Sequence, residues 1–166
     1  EEEQCKAAAV LGVPNVVFLG YGDGELEDTK LFRGQLVRQI RRFKPNVVFA
    51  TDPFHTRSHS HRDHRVSGQV ALDASFPYSR DTLHYPEHLK EEGLETHKTS
   101  TVLLWGTENP DVAIDVTGTM DKKLHALACH ASQMSFGEDG IESWMNRWAD
   151  RLAERSEGTG YKYAEL

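Results

Sequence analysis

A chain of 166 residues with 38% hydrophobic and 27% charged content has the size and composition of one globular domain. Its formal net charge of −7 argues against non-specific nucleic-acid binding, which draws on excess Lys and Arg. Apolar runs such as Val102-Leu103-Leu104-Trp105 are far too short for a bilayer span, which excludes a membrane partner of that kind; Cys5 and Cys129 are isolated thiols without CxxC spacing, the pattern of a reduced, cytoplasmic protein.

Glu1–Leu11 reads as a helix, with glutamates at its positive end and Gly12 as C-cap, and Pro14 prevents continuation. Asn15–Leu19 contains Val16-Val17-Phe18-Leu19, a continuous apolar run of the buried-strand type. Gly20-Tyr21-Gly22-Asp23-Gly24 follows and leaves Asp23 projecting at a strand end; it has neither GxGxxG nor GK[ST] spacing, so a phosphate cradle finds little support. Asp28 or Thr29 caps the next helix, whose Phe32, Leu36, Ile40 and Phe43 share a face. Arg38, Arg41, Arg42 and Lys44 load its last turns, read as a solvated end matched to the helix dipole. After Pro45, Val47-Val48-Phe49-Ala50 is a second buried strand and Thr51–Asp63 a loop that carries His55, His59 and His61.

Arg65–Phe76 returns to helical period through Val66, Val70, Ala71 and Ala74. Residues 77–95 are rich in charge and turn formers. Thr99–Trp105 and the shorter Val112–Val116 are strand candidates, and Met120–Ala131 is helical. Ile141–Leu152 is the clearest amphipathic helix, its Trp144 and Trp148 read as core. Helix and buried strand alternate through the first half, which predicts a single-domain α/β fold with a Rossmann-like, mostly parallel sheet and helices on both faces. In such sheets the functional crevice lies beyond the carboxyl ends of the strands, where Asp23 and the histidine loop both fall.

His61-Arg62-Asp63-His64 places three groups able to bind metal or move protons where a loop meets a helix. Asp63 also reads as a helix N-cap, and His61 and His64 as surface loop histidines. Zinc takes imidazole nitrogen and carboxylate oxygen, and catalytic zinc keeps three protein ligands plus water, so this tetrapeptide supplies only part of a site. His84-Tyr85-Pro86-Glu87-His88 matches the H-x-x-E-H string of inverted zinc proteases, but Pro86 breaks the helix that motif requires. No GxSxG elbow is present.

The chain resembles the LmbE-like, or PIG-L, deacetylases over nearly its whole length. The resemblance rests on Leu11-Gly12-Val13, Phe18 to Leu26 with Gly20-Tyr21-Gly22-Asp23-Gly24, and Pro45-Asn46-Val47-Val48. It continues through His61-Arg62-Asp63-His64-Arg65, Lys123 with Ala126-Leu127, His130-Ala131-Ser132-Gln133 and Tyr163-Ala164-Glu165. It implies metal-dependent hydrolysis of the N-acetyl or N-acyl group of an amino-sugar conjugate such as an N-acetylglucosaminyl compound, with Zn2+ the usual metal and Fe2+ an alternative. By family pattern His64 is a metal ligand, His61 steadies the oxyanion and protonates the leaving amine, Asp63 orients His61, and Asp23 contacts substrate. The family's remaining ligands and its general base lie in a His-Pro-Asp-Asp signature that nothing here matches. The resemblance therefore implies residues 1–166 to be a deacetylase domain lacking its N-terminal strand and metal-binding motif. His130 and Gln133 are read as structural or interface residues. The partner is a small amino-sugar molecule, and a homo-oligomer is compatible with the pattern. A catalytically incomplete binding or assembly module on the same fold is the alternative.

Overall fold

The computed structural model describes residues 1–57, 60–134, 136 and 140–166; His59 lies outside them. They form two compact units, Leu19–Asn109 and Glu1–Phe18 with Pro110–Leu166, called here the mid-chain and terminal units.

The mid-chain unit carries α2 (Lys30–Phe43), β1 (Val47–Thr51), α3 (Arg62–Asp73), a wide π turn (Ala74–Tyr78), α4 (Pro86–Lys90) and β2 (Thr101–Trp105). Of the two cap candidates the structure uses Thr29, whose hydroxyl accepts from the Phe32 amide at 3.1 Å. β1 and β2 pair in parallel from Val47↔Thr101 to Thr51↔Trp105, with α3 in the connection between them. Gly68 lets α3 lie directly on β1: a Cβ there would sit 2.1 Å from the Thr51 carbonyl oxygen. Val37, Ile40, Ala74 and Tyr85 form one apolar cluster, and Leu26, Phe32 and Val70 a second.

Three expectations fail here. Val47 and Phe49, which share a face of the pleat, are exposed, Phe49 by 62%, while Ala50 and Thr51 are buried. Phe43 is exposed as well. The largest departure is Arg41, expected in solvent and only 1% exposed. Its guanidinium donates to the carbonyls of Tyr78, Ser79, Asp81, His84 and Tyr85. That segment turns without a regular ladder, so its carbonyls need a donor, and one planar guanidinium serves all five, with Nη2 shared among Tyr78, Asp81 and His84. Burial pulls the Arg41 pKa below its ordinary value, against the opposing pull of Asp81 and Glu87.

The terminal unit contains α1 (Glu2–Leu11), β3 (Ile114–Asp115), α5 (Met120–Ala128), α6 (Gly140–Arg155) and β4 (Ala164–Glu165). Gly12 closes α1 in the left-handed conformation, its amide returning to Ala8 and Ala9. β3 pairs antiparallel with β4, so the described strands are not all parallel. Trp144 is buried, and Met145 and Trp148 pack on Met120, Leu124 and Leu152, as expected of core. Asn15–Leu19 forms no strand, and Val17 and Phe18 are exposed. An apolar run becomes a strand only where a neighbour satisfies its amides and carbonyls, and no described segment pairs with this one. No helix among the described residues is long and apolar enough to cross a membrane.

Candidate active site

Both strands of the parallel pair deliver their last residues to one place. Beyond Thr51, buried Asp52 donates its amide to the Trp105 carbonyl at 3.0 Å and accepts the Phe54 amide on Oδ1 at 2.8 Å. The loop that follows is held from the far side of β2. Glu108 accepts the Thr56 amide and hydroxyl on Oε2, both at 2.9 Å, and the Arg57 amide on Oε1 at 2.8 Å. His55 Nδ1 lies 3.8 Å from the same carboxylate. Sequence reasoning missed Glu108, because no local spacing connects it to residues about 50 positions earlier.

His61 is the N-cap of α3, a position expected of Asp63. Its Nδ1 accepts the Asp63 amide at 3.2 Å, so the neutral ring carries its proton on Nε2. Nε2 faces Asp23, 3.9 Å from Oδ1. The Asp63 carboxylate instead reaches the glycine-rich turn, accepting the Gly24 amide at 2.7 Å and the Leu26 amide at 3.3 Å. Arg62 beside it bonds the Leu26 carbonyl. The turn that carries Asp23 is thus tied to the first turn of α3.

Asp23, His61 and Asp63 each offer one ligand atom, all within 4.8 Å of one another. His64 stands next to them, its ring centroid 5.5 Å from that of His61 and 6.1 Å from that of Trp105. The four residues singled out from sequence are therefore neighbours. His61 and His64 are exposed, and so is the Asp23 carboxyl. Two oxygens and an imidazole are donors that a divalent ion of borderline softness accepts.

Elsewhere among the described residues no further group of three or more metal-ligating side chains converges. His84 precedes α4 and is bonded to Asp81 at 2.8 Å, whereas His88 is buried and stacked on Tyr85. His130 lies past the end of α5 and lines an open apolar hollow of about 180 Å³ with Ala7, Leu11 and Leu127. Gln133 is exposed.

Residues 1–75, which include all four clustered side chains, match the family model for PIG-L, GlcNAc-PI de-N-acetylase. Over 99% of its length the chain is 31% identical to a diacetylchitobiose deacetylase of Thermococcus kodakarensis, of which it covers 60%. The chain is homologous to PIG-L deacetylases. It is also 28% identical to a mycothiol S-conjugate amidase of Streptomyces coelicolor, over 81% of its own length and 39% of the amidase. Its fold superposes on an N,N'-diacetylchitobiose deacetylase from Pyrococcus horikoshii with a TM-score of 0.83 at 30% identity, covering 98% of this chain and 60% of that one. The chain thus spans about three fifths of the deacetylases it matches.

Proposed function

We propose that this PIG-L homologue hydrolyses the N-acyl amide of an amino-sugar conjugate, of the N-acetylglucosaminyl kind. The supporting observation is the convergence of Asp23, His61 and Asp63 beside His64 at the carboxyl end of a parallel strand pair, inside the segment that matches the family. A Rossmann-like sheet, a small-molecule substrate and a cytoplasmic setting belong to the same reading.

The donor chemistry fits a divalent ion, zinc or alternatively iron(II), with His64 as this chain's ligand. Such an ion, when bound, supplies Lewis-acid polarisation of an amide carbonyl and a water of lowered pKa. His61 is left for chemistry. Its Nε2–H donates to the carbonyl oxygen as negative charge develops there, and the departing amine takes its proton from the attacking water, because a neutral ring that gave up its one N–H would be left an imidazolate. The Asp63 amide holds the ring in that tautomer, and the Asp63 carboxylate fixes the turn that presents Asp23 to substrate hydroxyls.

The test uses the full-length protein, scored for amine release from N-acetylglucosamine conjugates and for bound metal. His64→Ala should lose metal, whereas His61→Ala should keep it and lose turnover on the order of 10²–10³-fold. The geometry favours one second reading, in which His61 itself is a ligand, because its nitrogen shares the 4.8 Å cluster with both carboxylates. His61→Ala would then be the variant that loses metal. Failure of metal-loaded protein to release amine from any N-acyl amino sugar would overturn both.

A further inference from the structure

Trp105 is the last residue of β2, and its place in the fold is fixed by its backbone. It stands in register with Thr51, and its carbonyl accepts the Asp52 amide at 3.0 Å. Neither bond needs an indole. Yet Trp105 is 50% exposed, and leaving a large apolar side chain half in water forfeits much of what burying it would return. The exposed ring also lies at the reacting groups. Its centroid is 6.1 Å from that of His64, edge-on at 63°, and the His64 ring is 5.5 Å from that of His61.

The other side chains of the cluster are polar: two carboxylates and two imidazoles. They can address the hydroxyls and the amide of a sugar, but not its faces. A pyranose presents a face of C–H groups with its hydroxyls at the rim. A flat aromatic ring complements such a face, and ligand sites generally pair aromatic surface with a few polar groups that set orientation. We infer that Trp105 is the platform on which the substrate's pyranose ring stacks, holding the acyl amide against His61 and His64. The inference rests on the amino-sugar reading above and names the residue that recognises the sugar itself.

The experiment compares Trp105→Ala, Trp105→Leu and Trp105→Phe in the full-length, metal-loaded protein. Trp105→Ala and Trp105→Leu should raise KM roughly tenfold with kcat held within about twofold, and Trp105→Phe should recover most of the loss. Leucine separates the two roles of the ring, since it keeps apolar bulk against His64 but has no flat face. Phe49→Ala, on the neighbouring strand and more exposed still, should leave KM unchanged. Metal content should be the same in all four. Wild-type KM in Trp105→Leu, a matching rise in Phe49→Ala, or loss of kcat and metal together would overturn the platform. Saturation-transfer NMR with N-acetylglucosamine reads sugar binding without turnover. If the wild type binds the sugar through Trp105 but releases no amine, the deacetylase reading fails and the platform stands. If it releases amine and the Trp105 variants bind sugar normally, the platform fails and the reading stands.

Discussion

Between Ser79 and His97 every histidine is tied into the fold. His84 is bonded to Asp81, His88 is buried against Tyr85, and His97 Nε2 meets the Pro45 carbonyl at 2.8 Å. Between Thr51 and His64 the pattern changes along the loop: His55 is held near Glu108, but His61 and His64 stay exposed with their rings side by side. Both stretches lie in the mid-chain unit, and both drew attention as metal motifs. The difference is one of availability: His61 keeps Nε2 open with the Asp23 and Asp63 carboxylates brought near it, whereas the Ser79–His97 histidines are engaged. In the Ser79–His97 stretch Arg41 organises the carbonyls, so the histidines there help build a wall. In the Thr51–His64 stretch Asp63 and Glu108 accept backbone amides, and the His61 and His64 rings stay exposed.

The strongest way to break this contrast is to remove the organiser of the wall. Arg41→Met should destabilise the full-length protein by roughly 3–5 kcal/mol, because five carbonyls lose a buried, charged donor. Urea unfolding measures it. A loss below about 1 kcal/mol would mean that the Tyr78–Tyr85 carbonyls are satisfied in some other way.

Next in size is Gly68→Ala. The new Cβ would meet backbone at 2.1 Å, so α3 must lift from β1, at a cost of about 2 kcal/mol. Because His61 caps that helix and His64 lies in its first turn, the substitution should lower kcat as well as Tm. Unchanged kcat beside lowered Tm would show that the site tolerates movement of α3.

These positions also mark what a reader of the sequence can see. The histidine tetrapeptide and its place after a strand were legible, because strand–loop–helix periodicity carries them, whereas Asp23 was expected nearby through a strand at 15–19 that the structure does not form. The capping of α2 was legible down to a choice between Asp28 and Thr29. Arg41 was not: a basic residue in a last helical turn looks alike whether it meets water or five carbonyls from a segment 37–44 residues away. The apolar run at 15–19 misled for a related reason. Hydrophobic pattern reports a readiness to pair, whereas pairing depends on a partner. Glu108, like Arg41, acts only through tertiary contacts that leave no local signature.

Asp63→Asn tests the open stretch more gently. An amide oxygen can replace one carboxylate acceptor, but not both charge-assisted bonds to Gly24 and Leu26, so about 1 kcal/mol of stability should go. The larger readout is functional: loosening of the turn that carries Asp23 should raise KM more than it lowers kcat. Amide chemical shifts of Gly24 and Leu26 should move together. A fall in kcat at constant KM would place the effect of Asp63 on His61 instead.

The smallest expected effect comes from the wall and depends on pH. Burial is the main force holding the His88 pKa below its ordinary 6.5; Arg38 and Arg41 push in the same direction, while Glu92 and Glu87 oppose them. The folded state therefore binds fewer protons than the unfolded chain between 6.5 and the lowered native value, so stability must fall as pH drops through that window. Above 6.5 both states are neutral at this position and the slope disappears. Asp81 also has a lowered pKa, chiefly through bonds from His84, but its ordinary value is 3.8, so its contribution is lost only at much lower pH. His88→Phe retains an aromatic ring to stack on Tyr85 and removes the titrating group, which isolates the effect. Unfolding free energies from pH 7.5 down to 5 should decline more steeply for the wild type than for His88→Phe. Parallel curves would mean that the imidazole reaches solvent in the folded protein, and the distinction between histidines tied into the fold and histidines open for chemistry would then rest on the loop at His61 alone.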